Sequence, residues 1–393
     1  MPRYRRTAYA FLYCHDTGFV DLELLLRGTV EPIALRQVLG FSVLIGRPQP
    51  LSPDELNLFI RLPGGEWSES PGGEEARCKG LARKGLLVSD TGDDDELCEL
   101  RRRDENLTRE QWHVFASFLH FFTRWQGKDV WRELPEADLA AAEAELVRRW
   151  GPPPSPFHAR GGPTVPLPSP LRSEPFSELL ERRRTTRSFA LEESMSLEEL
   201  SVLLYYTFGC QGYAHLDAGL VALRKTSPSG GGLHPTEAYP LIRDVDGLEP
   251  GFYHYDAGRH ALEPIRLLSA NDVRALAIRL AAGQPFAGDA HALVLLTSRF
   301  GRSFWKYRKH ERAYAVLLMD AGHLSQTFYL MSAALGLGAF VTAAINAADA
   351  EEELGLDSFS EGALALCGCG KIGARGPLDP EFLPYVLGET TVS

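Results

Sequence analysis

At 393 residues the chain is longer than one ordinary domain and fits about two, at roughly 150 residues each. Hydrophobic residues make up 44% and charged residues 24%, a globular composition that excludes a disordered, collagenous or coiled-coil chain. Acidic side chains outnumber basic ones by 52 to 41, and the net charge of −11 argues against general binding to nucleic acid or an anionic membrane, which need a basic face.

The apolar run over residues 8–14 is broken by His15 and Asp16, which leaves it too short for a signal-peptide core; no later run reaches the length of a membrane span. Cysteines at 14, 78, 98, 210, 367 and 369 are too few for a disulfide framework and form no Cys-x-x-Cys pair, so no structural zinc is expected. These features predict a soluble, cytoplasmic protein without metal.

Leu51-Ser-Pro-Asp-Glu-Leu predicts a helix start: Ser52 caps it, Pro53 fits the first turn, and Asp54 and Glu55 favour the positive helix end. A second helix is expected over residues 74–84, stopping at Gly85. Leu86-Leu-Val-Ser then reads as a strand, Asp90-Thr-Gly-Asp-Asp-Asp as a turn, and residues 97–101 as a returning strand. Helix, helix and hairpin is the order of a winged-helix unit, and the stretch is similar to the small leader-peptide recognition domains of ribosomal-peptide modification systems. Its acidic wing argues against DNA; peptide docking and a purely structural module both stand. Over residues 111–125, Trp112, Phe115, Phe118, Phe121, Phe122 and Trp125 recur at helical spacings, which predicts a packing helix with a buried aromatic face.

Residues 151–175 carry nine of the chain's 26 prolines, a semi-rigid connector by composition. The expected organisation is therefore a winged-helix-like domain with its aromatic helix over 1–150, a linker over 151–175, and a second domain over 176–393.

The second part carries the chemistry. Glu181-Arg-Arg-Arg-Thr-Thr-Arg-Ser-Phe concentrates guanidinium forks and hydroxyls of the kind a phosphate dianion needs, although arginine triplets are also common on surfaces. Arg224-Lys-Thr-Ser-Pro-Ser-Gly-Gly-Gly-Leu-His-Pro holds three glycines between Pro228 and Pro235, a shaped loop where backbone can approach a flat or charged ligand; a tight turn before a strand is the alternative. The formal Gly-x-Gly-x-x-Gly at 368–373 has too little chain after it for a dinucleotide-binding unit and is set aside. A long apolar helix is expected over 311–335, with His323 and Gln326 making core hydrogen bonds. No His-x-x-x-His pair occurs, and Cys367 with Cys369 reads as strand packing.

The ordered motifs Arg-Arg-Thr-Thr-Arg, Pro-Ser-Gly-Gly-Gly-Leu-His-Pro-Thr-Glu-Ala-Tyr, Gly-Phe-Tyr-His-Tyr-Asp, Phe-Trp-Lys-Tyr and Asp-Ala-Gly-His-Leu-Ser-Gln resemble those of the nitroreductase-like flavoproteins. Within these, the chain resembles the SagB-type dehydrogenases, which oxidise azoline rings in ribosomally made peptides. The resemblance covers about residues 175–393. It implies an α+β FMN fold, a mixed sheet flanked by helices, with FMN at the interface of an intimate homodimer. It places Arg183, Thr185 and Arg187 at the FMN phosphate and ribityl chain, and Ser229, Gly230, Gly231 and Gly232 against the isoalloxazine, followed by His234. Leu337 and Gly338 match the segment whose backbone passes the ring, and Lys371 and Arg375 match basic residues that complete phosphate binding. Lys306 and Tyr307 match the family's catalytic pair.

A lysine acts as a base near neutral pH only where burial or neighbouring cations depress its pKa from about 10.4. The reading is an FMN-dependent dehydrogenase that oxidises azoline to azole, its amino-terminal domain gripping the leader of a precursor peptide, with companion modifying enzymes as possible partners. An FMN-dependent reductase of dehydroamino acids in a modified peptide, or of nitro or quinone compounds with NAD(P)H, is the alternative.

Overall fold

The structure, a computed structural model, describes residues 2–19, 33–132, 139–154, 156, 167, 174–216 and 221–382. Most of the proline-rich connector lies outside them. Contacts group the chain into two units that do not follow a linear division. The first joins Met1–Arg124 to Arg299–Leu317 and Asp357–Gly362; the second comprises Trp125–Ser298, Leu318–Leu356 and Ala363–Ser393.

In the first unit, strand β1 (Arg3–Arg6) precedes an antiparallel meander of β2 (Ala10–Phe19), β3 (Ile33–Ser42) and β4 (Arg47–Leu51). The short β5 (Ser68–Glu69) and β6 (Leu87–Ser89) flank β1 in a second small sheet. The helix Pro53–Arg61 starts as its sequence dictates: Ser52 Oγ accepts the Glu55 N–H at 3.2 Å and Glu55 returns the bond to the Ser52 N–H at 2.9 Å. The helix Glu75–Arg83 stops before Gly85, whose φ of +68° and approach to Ser42 leave no place for a Cβ.

The expected wing is corrected. Residues 97–101 are not a returning strand but part of a helix, Asp95–Arg109, and β6 pairs with β1 instead. Asp94, read as a turn residue, caps this helix by accepting the Leu97 N–H; Asp95 and Glu96 fill its first turn, and Leu97, Leu100 and Leu107 bury its apolar side. Helical spacing of those leucines outweighed the strand reading of a five-residue window.

The aromatic stretch forms the helix Val114–Thr123, and its ring pattern is split between interior and surface. Trp112 and Phe121 are buried, whereas Phe115 and Phe122 are exposed, so the expectation of one buried aromatic face is half right. Trp112, only 1% exposed, packs its ring 4.5 Å from that of Phe300 and 4.9 Å from that of Phe304, and its Nε1 donates to the Phe359 carbonyl. These contacts tie residues 299–317 and 357–362 to the amino-terminal segment. His120 is buried beside them, 2.9 Å from the Tyr314 hydroxyl, and burial together with the nearby Arg124 charge pushes its pKa down to about 3.

The second unit adds a small hairpin, β7 (Gly212–His215) with β8 (Val221–Arg224), and a larger sheet. That sheet contains β9 (Thr236–Ile242), β10 (Gly251–Asp256), β11 (Ala261–Leu267), β12 (Ala292–Arg299), β13 (Gly338–Thr342) and β14 (Glu361–Gly370), in the order β11-β10-β9-β12-β14-β13. Helices flank it, but the expected mixture of strand directions is corrected. The recorded ladders run antiparallel, and the bonds from His291 to Cys369 and from Phe300 to Ser360, rising along β12 while falling along β14, make that pair antiparallel as well. Short links such as the four-residue turn between β10 and β11 permit only antiparallel neighbours; parallel ones need a long crossover. One face buries Leu200, Leu203, Val294, Leu296 and Phe328, the other Leu241, Phe252, Leu293 and Phe340. The glycines of the rejected fingerprint serve this packing: a Cβ on Gly368 would sit 2.3 Å from the Phe340 ring, and one on Gly370 2.1 Å from His291. Cys367 and Cys369 are buried in β14, where burial raises both thiols, Cys369 to about 12.

Among the described residues, no helix is long and apolar enough to cross a membrane.

Candidate functional site

The arginine-threonine segment leaves the helix Pro175–Arg182 in extended form and lies against β13. Thr186 N–H donates to the Ala339 carbonyl at 2.7 Å, and this approach requires Gly338, where a Cβ would meet Thr186 Cγ2 at 2.7 Å. Thr185 Oγ1 lies 3.0 Å from the Tyr329 hydroxyl, which also accepts the Val341 N–H at 3.1 Å. The Arg183 guanidinium sits over the same Tyr329 ring, 5.3 Å from its centroid, and has no carboxylate partner among the described residues. Arg183, Thr185 and Tyr329 thus present a cation and two hydroxyls together, a donor set suited to a phosphate.

Arg187 makes protein contacts of its own. Its N–H donates to Asp379, its guanidinium to the Leu378 carbonyl, and its Cζ lies 5.5 Å from the Phe286 ring centroid. It fastens the segment after β14. Lys371 and Arg375, matched to phosphate binding by resemblance, also have protein partners. Lys371 Nζ is 2.6 Å from Glu199, while Arg375 bonds the Asp379 carbonyl and pairs with Glu381 at 3.3 Å. Burial works against the Glu199 charge, yet Lys371 and the Ser196 cap hold its carboxyl below the usual range.

The triple-glycine loop hangs on the helix Ala313–Ala334. Ser229 Oγ donates to Asp320 at 2.5 Å, Gly230 N–H donates to the other Asp320 oxygen at 3.0 Å, and Ser229 Oγ accepts the His234 N–H at 2.9 Å. Gly231 and Gly232 have φ of +65° and +68°, and His234 has φ of +47°, a conformation that disfavours a side chain. At Gly232 a Cβ would point into open space. Gly232 and Leu233 N–H groups close the turn onto Ser229 and Gly230 carbonyls, which leaves the Gly231 amide as the loop donor without a partner among the described residues. Bare main chain with an amide unengaged among the described residues fits the edge of a flat, polar ring system.

Further along the same helix, Ser227 and Thr327 hydroxyls meet at 2.6 Å. His323 contributes its carbonyl to Ser227 while its Nδ1 stays buried without a partner among the described residues. Gln326 is exposed, which corrects the expected core hydrogen bond. Leu337 is buried directly after Gly336, whose φ of +72° ends the helix, and its N–H caps the Ser332 carbonyl.

Lys306 and Tyr307 lie in the other unit, on the turn after the helix Phe300–Phe304; both their amides donate to the Ser303 carbonyl at 3.1 Å. Lys306 is exposed, and its Nζ lies 5.9 Å from the Tyr307 ring centroid. The structure therefore gathers Arg183 and Thr185 on Tyr329 and Ser229, Gly230 and His234 on Asp320, all in the second unit, and carries Lys306 and Tyr307 on the first.

Tyr329 was not singled out from sequence, and Asp320 entered only as the first residue of the Asp-Ala-Gly-His-Leu-Ser-Gln motif, with no role assigned. Asp320 had a signal: it is the one acidic residue in a helix of 22 otherwise uncharged or weakly basic residues. A carboxylate is stable in such surroundings only when hydrogen-bonded. Tyr329 had none, because an aromatic at helical spacing reads as core.

The nitroreductase family model matches residues 180–371. The chain is 31% identical over 265 residues to the trifolitoxin-processing protein TfxB of Rhizobium leguminosarum bv. trifolii, a match that covers 65% of this chain and 68% of that one. It is 32% identical over 161 residues to the putative nitroreductase MJ1384 of Methanocaldococcus jannaschii, covering 41% of this chain and 74% of that one. A chain from the structure of the E. coli microcin synthetase McbBCD complex with truncated pro-MccB17 bound is similar in fold, with a TM-score of 0.50 and 20% identity, covering 72% of this chain and 100% of that one.

Proposed function

We propose, from the premise that this chain belongs to the nitroreductase family, that it is an FMN-dependent dehydrogenase of the SagB type that oxidises azoline rings to azoles in a ribosomally made peptide. Family membership makes it an oxidoreductase. The observation that carries the peptide substrate is the similarity to a trifolitoxin-processing protein over 265 residues, more than the flavoprotein domain alone.

The residues fit FMN. Arg183 and Thr185, beside the Tyr329 hydroxyl, supply charge and hydrogen bonds for the phosphate and ribityl chain. The Ser229–Gly232 loop offers the ring bare backbone and the Gly231 amide. FMN, when bound, supplies the acceptor for the electron pair and one hydrogen of the azoline. The second hydrogen leaves as a proton, for which Lys306 or Tyr307 is the base. Arg187, Lys371 and Arg375 support the site by fixing the backbone around it. In this reading the amino-terminal part holds the leader of the precursor peptide, companion enzymes form the azoline, and the enzyme works in the cytoplasm. A homodimer is supported by apolar side chains left exposed on two helices, Phe176 and Leu180 on one and Leu318 and Met319 on the other.

The test is purified protein supplied with FMN and an azoline-bearing precursor peptide. Loss of one hydrogen pair per ring, seen by mass spectrometry and dependent on flavin, supports the assignment. Rapid bleaching of the flavin by NAD(P)H alone, with no change in the peptide, would replace it with a nitro or quinone reductase. Reduction of a dehydroamino acid in the peptide would reverse the direction.

A further inference from the structure

We infer that Asp320 is a positioning residue for the flavin, acting through the triple-glycine loop; the inference rests on the FMN reading. Asp320 is 3% exposed and sits on an apolar helix, where an acidic side chain is retained at a cost unless its oxygens are hydrogen-bonded. Both are used by one loop: one oxygen accepts from Ser229 Oγ, the other from Gly230 N–H. Ser229 Oγ passes the restraint on by accepting from His234 N–H, so a single carboxylate fixes both ends of the six-residue turn.

The loop needs that restraint. Gly231, Gly232 and His234 all have positive φ, a combination a free chain seldom populates, and for His234 it is strained. Engaging the Gly230 amide and the Ser229 hydroxyl with Asp320 also removes them as ligand donors and leaves the Gly231 amide for the ring. Asp320 therefore lowers the ordering entropy that flavin binding would otherwise have to overcome.

The test compares wild type, Asp320→Ala, Asp320→Asn, Ser229→Ala and the Asp320→Ala/Ser229→Ala double variant, each as the full chain, by flavin fluorescence titration with FMN and by amide hydrogen exchange without it. Asp320→Ala is expected to raise the FMN Kd about 30-fold and to speed exchange at Gly230 and His234 in the flavin-free protein. Asp320→Asn, which keeps one acceptor oxygen, falls between. The double variant is expected to be no weaker than Asp320→Ala, because the two residues act as one unit. Should Asp320→Ala fail to fold, Asp320→Asn and Ser229→Ala carry the same comparison. An FMN Kd within twofold of wild type, unchanged loop exchange, or additive losses in the double variant each overturn the role. If the wild type binds no FMN, the flavin reading falls and with it this role, while faster loop exchange in the Asp320 variants would still identify the loop anchor.

Discussion

The Trp112 ring meets the Phe304 ring edge-on at 4.9 Å, two residues before Lys306. The aromatic helix and the segment assigned to catalysis are therefore one packing unit, although nearly two hundred residues separate them in the chain. Trp112→Ala is expected to destabilise this unit by about 3–5 kcal/mol, the range for deleting a large buried ring. It should also lower turnover, because the 299–317 segment loses its support. Urea unfolding and peptide turnover measured together check both; a variant of unchanged stability would contradict the packing role.

Lys306→Ala is expected to purify yellow with FMN and to lose peptide oxidation by at least about 100-fold, the lower bound for removing a general base. Lys306 is exposed, so no loss of stability should accompany the change. Normal turnover in the variant would end the assignment.

The two arginines should separate. Arg183 has only the Tyr329 ring as partner among the described residues, so Arg183→Ala should weaken FMN binding about 30-fold while the flavin-free protein melts as before. Arg187 bonds the Leu378 carbonyl and packs on Phe286, so Arg187→Ala should lower the melting temperature even without FMN. Equal melting of the two variants would refute the division of tasks.

His120 predicts a pH dependence. Its folded pKa is depressed to about 3 from an unfolded value of 6.5. Between these values the unfolded chain binds a proton that the folded chain excludes, so the stabilising contribution is complete above pH 6.5 and is lost as pH falls toward 3. The slope is at most about 1.4 kcal/mol per pH unit. His120→Phe should flatten the stability profile in that window by up to one proton's worth relative to wild type; parallel profiles would show that the imidazole is not held neutral.

Short-range features were legible because neighbouring residues enforce them. Ser52 and Glu55 make a capping box from four consecutive residues, Gly85 stops a helix by its own φ, and proline and glycine shape the loop before β9 whatever surrounds it. The Asp90–Asp95 turn misled because one of its aspartates caps a helix whose apolar spacing becomes visible only over several turns. What the tertiary structure alone decided is which distant groups meet: Asp320 with Ser229, Tyr329 with Thr185, Trp112 with Phe304. Hydrogen bonds and ring contacts act over a few ångströms in space and leave no fixed spacing along the chain. The linear order therefore singled out most of the candidate groups, and folding chose their partners.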